Sequence, residues 1–165
     1  MKPTLIAAAL LALIPQLITP PAFAADTGTC DVYAKNAVAD NDRATRMGCG
    51  FANTNARWQS NYNNHYGWCL NAPSAALVSE AAARDADMRP CESLSTRCEA
   101  YAEQATRQFR RSQQLACGFS PTTTPPGRWM DNHRGHYDWC MQAKPEWLTG
   151  EAQARSEALN RCLSQ

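Results

Sequence analysis

Small and apolar side chains recur at steps of three and four residues from position 30 to position 47, and the pattern returns from position 98 to position 116. This spacing places them on one side of an α-helix and leaves the other side polar. Gly50 and Gly118 follow the two stretches and are typical of a helix C-terminus. The residues that carry the pattern are Cys30, Tyr33, Ala34, Ala37, Val38 and Ala44, and then Cys98, Tyr101, Ala102, Ala105, Phe109 and Ala116.

Two more helices are predicted in each half of the chain. One carries its larger side chains along one side, at Trp58, Tyr62, His65 and Cys69 and again at Trp129, His133, His136 and Cys140. The other runs from about Ser79 to Arg89 and from about Thr149 to Arg161. It contains the i,i+4 ion pairs Glu80–Arg84 and Glu151–Arg155. Runs of β-branched residues are absent after position 24, so the predicted fold class is all-α.

The same motif occurs twice, which indicates a tandem duplication. The first copy is Cys49-Gly50-Phe51, Arg57-Trp58, Asn61, His65-Tyr66 and Trp68-Cys69, and the second is Cys117-Gly118-Phe119, Arg128-Trp129, Asn132, His136-Tyr137 and Trp139-Cys140. The offset grows from 68 to 71 because the loop 121–127 holds three extra residues. We therefore predict two three-helix repeats, 30–91 and 98–162. The linker 92–97 is too short to let them separate far.

Residues 1–24 are typical of an export signal. Lys2 precedes an apolar run from Leu5 to Ile18, and small residues around Phe23 suggest cleavage after Ala24. The run is shorter than the ~20 residues of a spanning helix, so we expect no membrane span in the mature chain. The predicted location is the periplasm or the outside of the cell.

All eight cysteines follow this signal, four in each repeat. An even number of cysteines in a chain that follows an export signal predicts disulfides. The alternative is a zinc site formed by Cys49, His65, Cys69 and Cys91, which export makes a poor fit. Isoleucine is absent after residue 24, and repeats this small bury little apolar surface, so crosslinks are needed for stability.

The direction of the helices suggests how the cysteines pair. In an up-down-up unit, the start of the first helix lies near the end of the second, and the ends of the first and third helices lie together. Three pairings per repeat are possible, and they remain open at this point. The pairing that helix direction favours is Cys30 with Cys69, Cys49 with Cys91, Cys98 with Cys140, and Cys117 with Cys162.

The overall charge excludes some classes of partner. The 16 Lys and Arg residues nearly balance the 15 Asp and Glu residues, and removal of Lys2 makes the balance equal. There is no basic surplus to indicate a nucleic-acid partner and no acidic surplus to indicate calcium. We expect no cofactor and no metal.

The candidate binding residues are those that recur in both copies: Arg57, Trp58, Arg128, Trp129, His65 and His136. An Arg beside a Trp can recognise a sugar ring or a carboxylate. The structural interpretation places both Trp side chains in the core, with the Arg bonding carbonyls at a helix end. We favour the core for Trp58 and Trp129, and also for Trp68 and Trp139.

The two recurrent histidines, His65 and His136, admit a catalytic interpretation as general bases or a role as metal ligands. No carboxylate or nucleophile recurs beside them at a fixed offset. We therefore expect structural histidines, bonded to backbone or to the nearby Asn61 and Asn132.

The cysteine frame with Cys-Gly-Phe, Arg-Trp and His-Tyr-x-Trp-Cys resembles a repeat found in small exported bacterial proteins that are largely uncharacterised. The resemblance covers both repeats. It implies secretion or a periplasmic location and paired cysteines, and it implies no activity and no catalytic residue.

Three functions follow from these observations. The first is an exported, non-enzymatic interaction module that binds an envelope or extracellular protein, since linked copies gain avidity. The second is glycan or peptidoglycan binding through the Arg-Trp pairs. The third is a hydrolase built on His65 and His136, which the absence of a recurrent nucleophile disfavours.

Overall fold

The computed structural model describes residues 25–164, and all regular structure in that range is α-helical. The predicted signal peptide, 1–24, lies outside the described residues. The five helices are α1 (Thr27–Met47), α2 (Tyr62–Asn71), α3 (Ser74–Gln114), α4 (His133–Gln142) and α5 (Pro145–Leu163). The all-α fold class is therefore confirmed.

Helix α1 ends at the predicted Met47 but begins at Thr27, three residues before the predicted start, and its C-terminal cap is Gly48, not the predicted Gly50. The Asp26 side chain accepts a hydrogen bond from the backbone N–H of Thr29 at 2.9 Å, which satisfies one free donor of the first turn. At the other end Gly48 adopts a left-handed φ of 75°, and its N–H donates to Ala44. The buried side of the helix follows the predicted spacing, with Cys30, Tyr33, Ala34, Ala37, Asn41 and Ala44.

Helices α2 and α4 begin later than predicted. Asn61 and Asn132 cap them, each accepting a hydrogen bond from the backbone N–H three residues on. Trp58 and Trp129 therefore lie in the preceding loops, and the prediction that they belong to these helices was wrong. The apolar spacing continued into the loop because the loop also packs on the core.

Helix α3 contains both the third predicted helix of the first half and the first predicted helix of the second half. It runs for 41 residues, through Pro90 and through the stretch 92–97 that we interpreted as a linker. Pro90 lacks an N–H and disfavours a helix interior by ~3 kcal/mol. The neighbouring Met88 and Cys91 are both buried in the core, and this packing offsets that cost.

The four disulfides join the cysteines in the pairs that helix direction favoured: Cys30–Cys69, Cys49–Cys91, Cys98–Cys140 and Cys117–Cys162. Their Cα atoms are 5.4–5.9 Å apart, within the usual range. The alternative zinc site is excluded, because Cys49, Cys69 and Cys91 are all in disulfides. Four disulfides indicate an oxidising environment, periplasmic or extracellular.

The two halves share a central core. One cluster combines Trp58 and Met88 of the first half with Met141 of the second. The Tyr137 hydroxyl adds a polar contact, because it lies 2.9 Å from the carbonyl oxygen of Met47 and donates to it. The halves therefore meet along α3 through side chains as well as through the helix backbone. No helix in the range 25–164 combines the length and apolarity that a bilayer-spanning segment requires.

Removing one crosslink should test how much the thin core depends on it. We expect Cys49→Ala with Cys91→Ala to lower the free energy of unfolding by about 4 kcal/mol, because the link closes a loop of about 40 residues in the unfolded chain. Urea unfolding of the oxidised protein measures this loss. Peptide mapping without reduction provides the control, and a link between a cysteine before Glu92 and one after Arg97 would contradict the pairing.

Candidate functional site

Each half contains a cleft bounded by its short helix, the loop before it and the helix after it. The first cleft is lined mainly by Tyr33, Arg57, His65, Trp68 and Glu80. The second cleft is lined by the corresponding residues Tyr101, Arg128, His136, Trp139 and Glu151. Four of the six candidate residues from the sequence therefore lie in these clefts, two in each.

The arginine of each cleft forms a two-bond ion pair with the glutamate. Arg57 donates from Nε and Nη2 to the two Glu80 oxygens at 2.7 and 3.2 Å. Arg128 donates to Glu151 in the same way, with both distances at 2.8 Å. The expectation that these arginines bond helix-end carbonyls was wrong. The planar guanidinium matches a carboxylate better than it matches separate carbonyls.

A second, fully buried arginine lies beneath each ion pair. Arg84 and Arg155 place their guanidinium carbons 4.8 Å from the ring centres of Tyr33 and Tyr101, and each donates to the hydroxyl of that tyrosine. The predicted i,i+4 pairs with the glutamates are present, but each spans 3.9 Å. The negative charge of each glutamate thus lies near two guanidinium groups. Its hydrogen bonds go to the arginine of the loop, Arg57 or Arg128.

Trp58 and Trp129 are core residues, with only 1% and 2% of their surface exposed. Their rings pack against the phenylalanines of the Cys-Gly-Phe motif at 4.4 and 4.3 Å between centroids. The core interpretation is confirmed. Neither indole is free to stack on a sugar ring, so the Arg-Trp pairs do not form the glycan site that the sequence suggested.

His65 and His136 are buried, and each bonds a backbone carbonyl. Nε2 lies 3.0 Å from the carbonyl oxygen of Gln59 in the first half and 3.2 Å from that of Met130 in the second. These bonds fasten the loop to the short helix, which confirms the structural interpretation. Burial lowers the pKa of His136 below its ordinary value, because a charged imidazolium would lose its hydration there.

Trp68 and Trp139 were expected in the core, and that expectation was wrong. They are 41% and 38% exposed and lie 5.3 and 5.4 Å from the rings of Tyr33 and Tyr101. Each precedes a buried cysteine on its helix, and adjacent helical positions are about 100° apart. The cysteine takes the inward position, so the indole lies at the edge of the cleft, with one part packed and one part free.

The sequence reasoning missed the tyrosine, the glutamate and the buried arginine as site residues. Tyr33, Glu80 and Arg84 were all recognised as recurrent, along with their counterparts. Their spacing in the sequence indicates only that the tyrosine lies on a helix face and that the glutamate and arginine form an ion pair along one helix. The usable signal was their recurrence together with Arg57 and His65, since residues that recur as a group often meet in space.

The two clefts differ in how many carboxylates they contain. In the first half, Asp87 accepts from Nη1 of Arg57 at 3.3 Å, and Asp40 lies 3.5 Å from Nε of Arg84. The corresponding positions of the second half are Ala158 and Gln108. The two cleft arginines of the first half, Arg57 and Arg84, therefore face three carboxylates, and within the range 25–164 those of the second half, Arg128 and Arg155, face one, Glu151.

No group of three His, Cys, Asp or Glu side chains that could hold a metal ion occurs among residues 25–164. No family model, no curated protein and no solved structure matches this chain.

The glutamates should differ in their contribution to stability. We expect Glu151→Gln to lower the free energy of unfolding by about 2–3 kcal/mol, because it leaves two guanidinium groups without a nearby carboxylate. The matched change Glu80→Gln should cost less, since Asp87 and Asp40 remain beside Arg57 and Arg84. Urea unfolding of the two variants gives the comparison, and equal losses would contradict it.

Acid should weaken the folded protein through His136. Its folded-state pKa is lowered, so as the pH falls the unfolded chain takes up a proton before the folded protein does. This contribution is fully present above pH ~6.5 and declines below it until the folded-state pKa is reached. We expect His136→Gln to flatten the dependence of unfolding free energy on pH between about 7.5 and 5. A slope that stays unchanged in His136→Gln would contradict the assignment.

Proposed function

We propose that this chain is an exported, non-enzymatic binding module that engages a protein partner in the periplasm or outside the cell. The four disulfides support an oxidising location. The signal-like residues 1–24 support export. The binding role is supported by the two clefts and their accessible aromatic edges.

The observation that carries the proposal is the half-exposed indole at the edge of each cleft. Trp68 and Trp139 present an apolar face to solvent beside a polar group, which is a combination frequent at the centre of protein interfaces. The continuous helix α3 joins the two halves. A partner that contacts both clefts would gain avidity without additional contacts.

The surroundings of the histidines support a role other than catalysis. Nε2 of His65 and of His136 is occupied by a backbone carbonyl. All eight cysteines are in disulfides, so no thiolate is available as a nucleophile. The hydrolase hypothesis gains no support from either arrangement.

The partner should be retained only when both clefts are intact. We expect the immobilised mature chain to retain a protein from envelope extract or culture medium, and the double change Trp68→Ala with Trp139→Ala to reduce the recovery of that protein at least tenfold. Quantitative mass spectrometry of the retained fraction measures the recovery.

The matched control is Trp147→Ala, which removes an indole that is 53% exposed and lines neither cleft. It should leave recovery unchanged. A retained fraction that is the same for the double variant, or no retained protein in any extract, would count against the proposal. Retention of a glycan instead, dependent on the same two tryptophans, would replace the protein partner with a sugar.

A further inference from the structure

The second cleft contains one more positive charge than its own residues neutralise. Arg128 and Arg155 supply two guanidinium groups, and Glu151 is the only carboxylate that lies within 4 Å of either, among residues 25–164. Gln108 contacts Nε of Arg155 at 2.9 Å, but an amide carries no charge. In the first half the position of Gln108 is occupied by Asp40. The surplus therefore belongs to the second cleft alone.

Donors in the second cleft are also left unused. Arg155 lines the cleft with 0% of its surface exposed, and its Nη2 has no hydrogen-bond partner. Nη1 of Arg128 makes no hydrogen bond to any residue in the range 25–164, whereas Nη1 of Arg57 donates to Asp87. A buried donor without a partner costs about 1–3 kcal/mol, and more when it is charged. Nη2 of Arg155 is closed to solvent, so an anion from outside the chain would offset part of this cost through its charge, while Arg128, which is partly exposed, would donate to it.

The loop with three extra residues encloses the second cleft. Pro125, Pro126 and Gly127 of that loop form part of its lining. The cavity has a volume of about 220 Å³, against about 770 Å³ for the first cleft. This is below the ~300–1,000 Å³ of sites for drug-sized ligands, so the ligand must be small. The walls formed by Tyr101, Trp139 and the prolines are apolar, so they favour an apolar group next to the charge.

We infer that the second cleft binds a small carboxylate that carries an apolar group, with Arg128 donating to the carboxylate and Arg155 compensating its charge. Nε and Nη2 of Arg128 already donate to Glu151, so the carboxylate of the ligand would accept from Nη1. One surplus positive charge balances a monoanion. A free organic acid and the C-terminal carboxylate of a protein chain both present this chemistry. The inference rests on the proposed function, because it names the group that one cleft of the binding module recognises.

Titration of the oxidised mature chain with defined probes tests the inference. We expect N-acetylleucine to bind with a measurable heat at concentrations up to about 10 mM, and N-acetylleucine amide, which lacks the charge, to give none. A peptide of five residues that ends in leucine, with a free or an amidated C-terminus, distinguishes the two sources. Tighter binding of the free-ended peptide than of the amidated peptide points to a chain terminus as the ligand. If the free-ended peptide does not bind, the ligand is a free acid.

Placing the carboxylates of the first cleft at the corresponding positions of the second cleft should abolish ligand binding there. Gln108→Asp should weaken N-acetylleucine binding at least tenfold, and addition of Ala158→Asp should abolish it, because the introduced carboxylates neutralise Arg155 and Arg128. Gln104→Asp adds the same charge one helical turn away on the exposed side of α3 and should leave binding unchanged. Equal weakening by Gln104→Asp, or no effect of Gln108→Asp, would overturn the inference.

A second measurement does not depend on the folding of those variants. In the unaltered protein, N-acetylleucine should shift the indole N–H resonance of Trp139, identified by its loss in Trp139→Phe, and should leave that of Trp68 in place. Absence of a shift at about 10 mM, or equal shifts from the acid and its amide, would overturn the inference. Neither result affects the retention experiment, so failure of this site and failure of the binding module remain distinguishable.

Discussion

The disulfides are the constraint on which the rest of this structure depends. The core is built largely from alanine, cysteine and a few aromatic rings, so burial of apolar surface alone supplies little stability. In each half, one crosslink joins the first helix to the short helix, and the other joins the loop after the first helix to the third helix. With three helices held in this way, a half can tolerate features that a small core would not otherwise support, including a buried arginine and a proline inside α3.

The buried arginines show what this framework makes possible. Arg84 and Arg155 are each surrounded by a tyrosine face and hydroxyl, a glutamate, and a polar residue, which is Asp40 of α1 for Arg84 and Gln108 of α3 for Arg155. Buried ion pairs often contribute little net stability, because desolvation cancels most of the attraction. Their more evident consequence here is geometric, since they bring the loop arginine, the glutamate and the tyrosine together at the base of each cleft.

The two halves share this arrangement and differ in the charges around it. The second cleft has Gln108 and Ala158 where the first has carboxylates, and the loop before Arg128 is longer, so the second cleft is small and positively charged whereas the first is open and neutralised. The disulfides and the buried tryptophans are unchanged between the halves. The shared framework therefore accommodates two clefts of different size and charge.

Helical class and the correspondence between the halves can be read from the sequence alone. The sequence also favoured the cysteine pairing and the burial of Trp58 and Trp129, which the structure confirms. These follow from local periodicity and from the geometry of alternating helices. Only the tertiary structure decided that α3 continues through Pro90, that Trp68 and Trp139 lie half-exposed, and that Arg57 and Arg128 bind glutamates 23 residues away. Periodicity shows which residues share a face of one helix, whereas these features depend on which distant side chain occupies the space opposite that face.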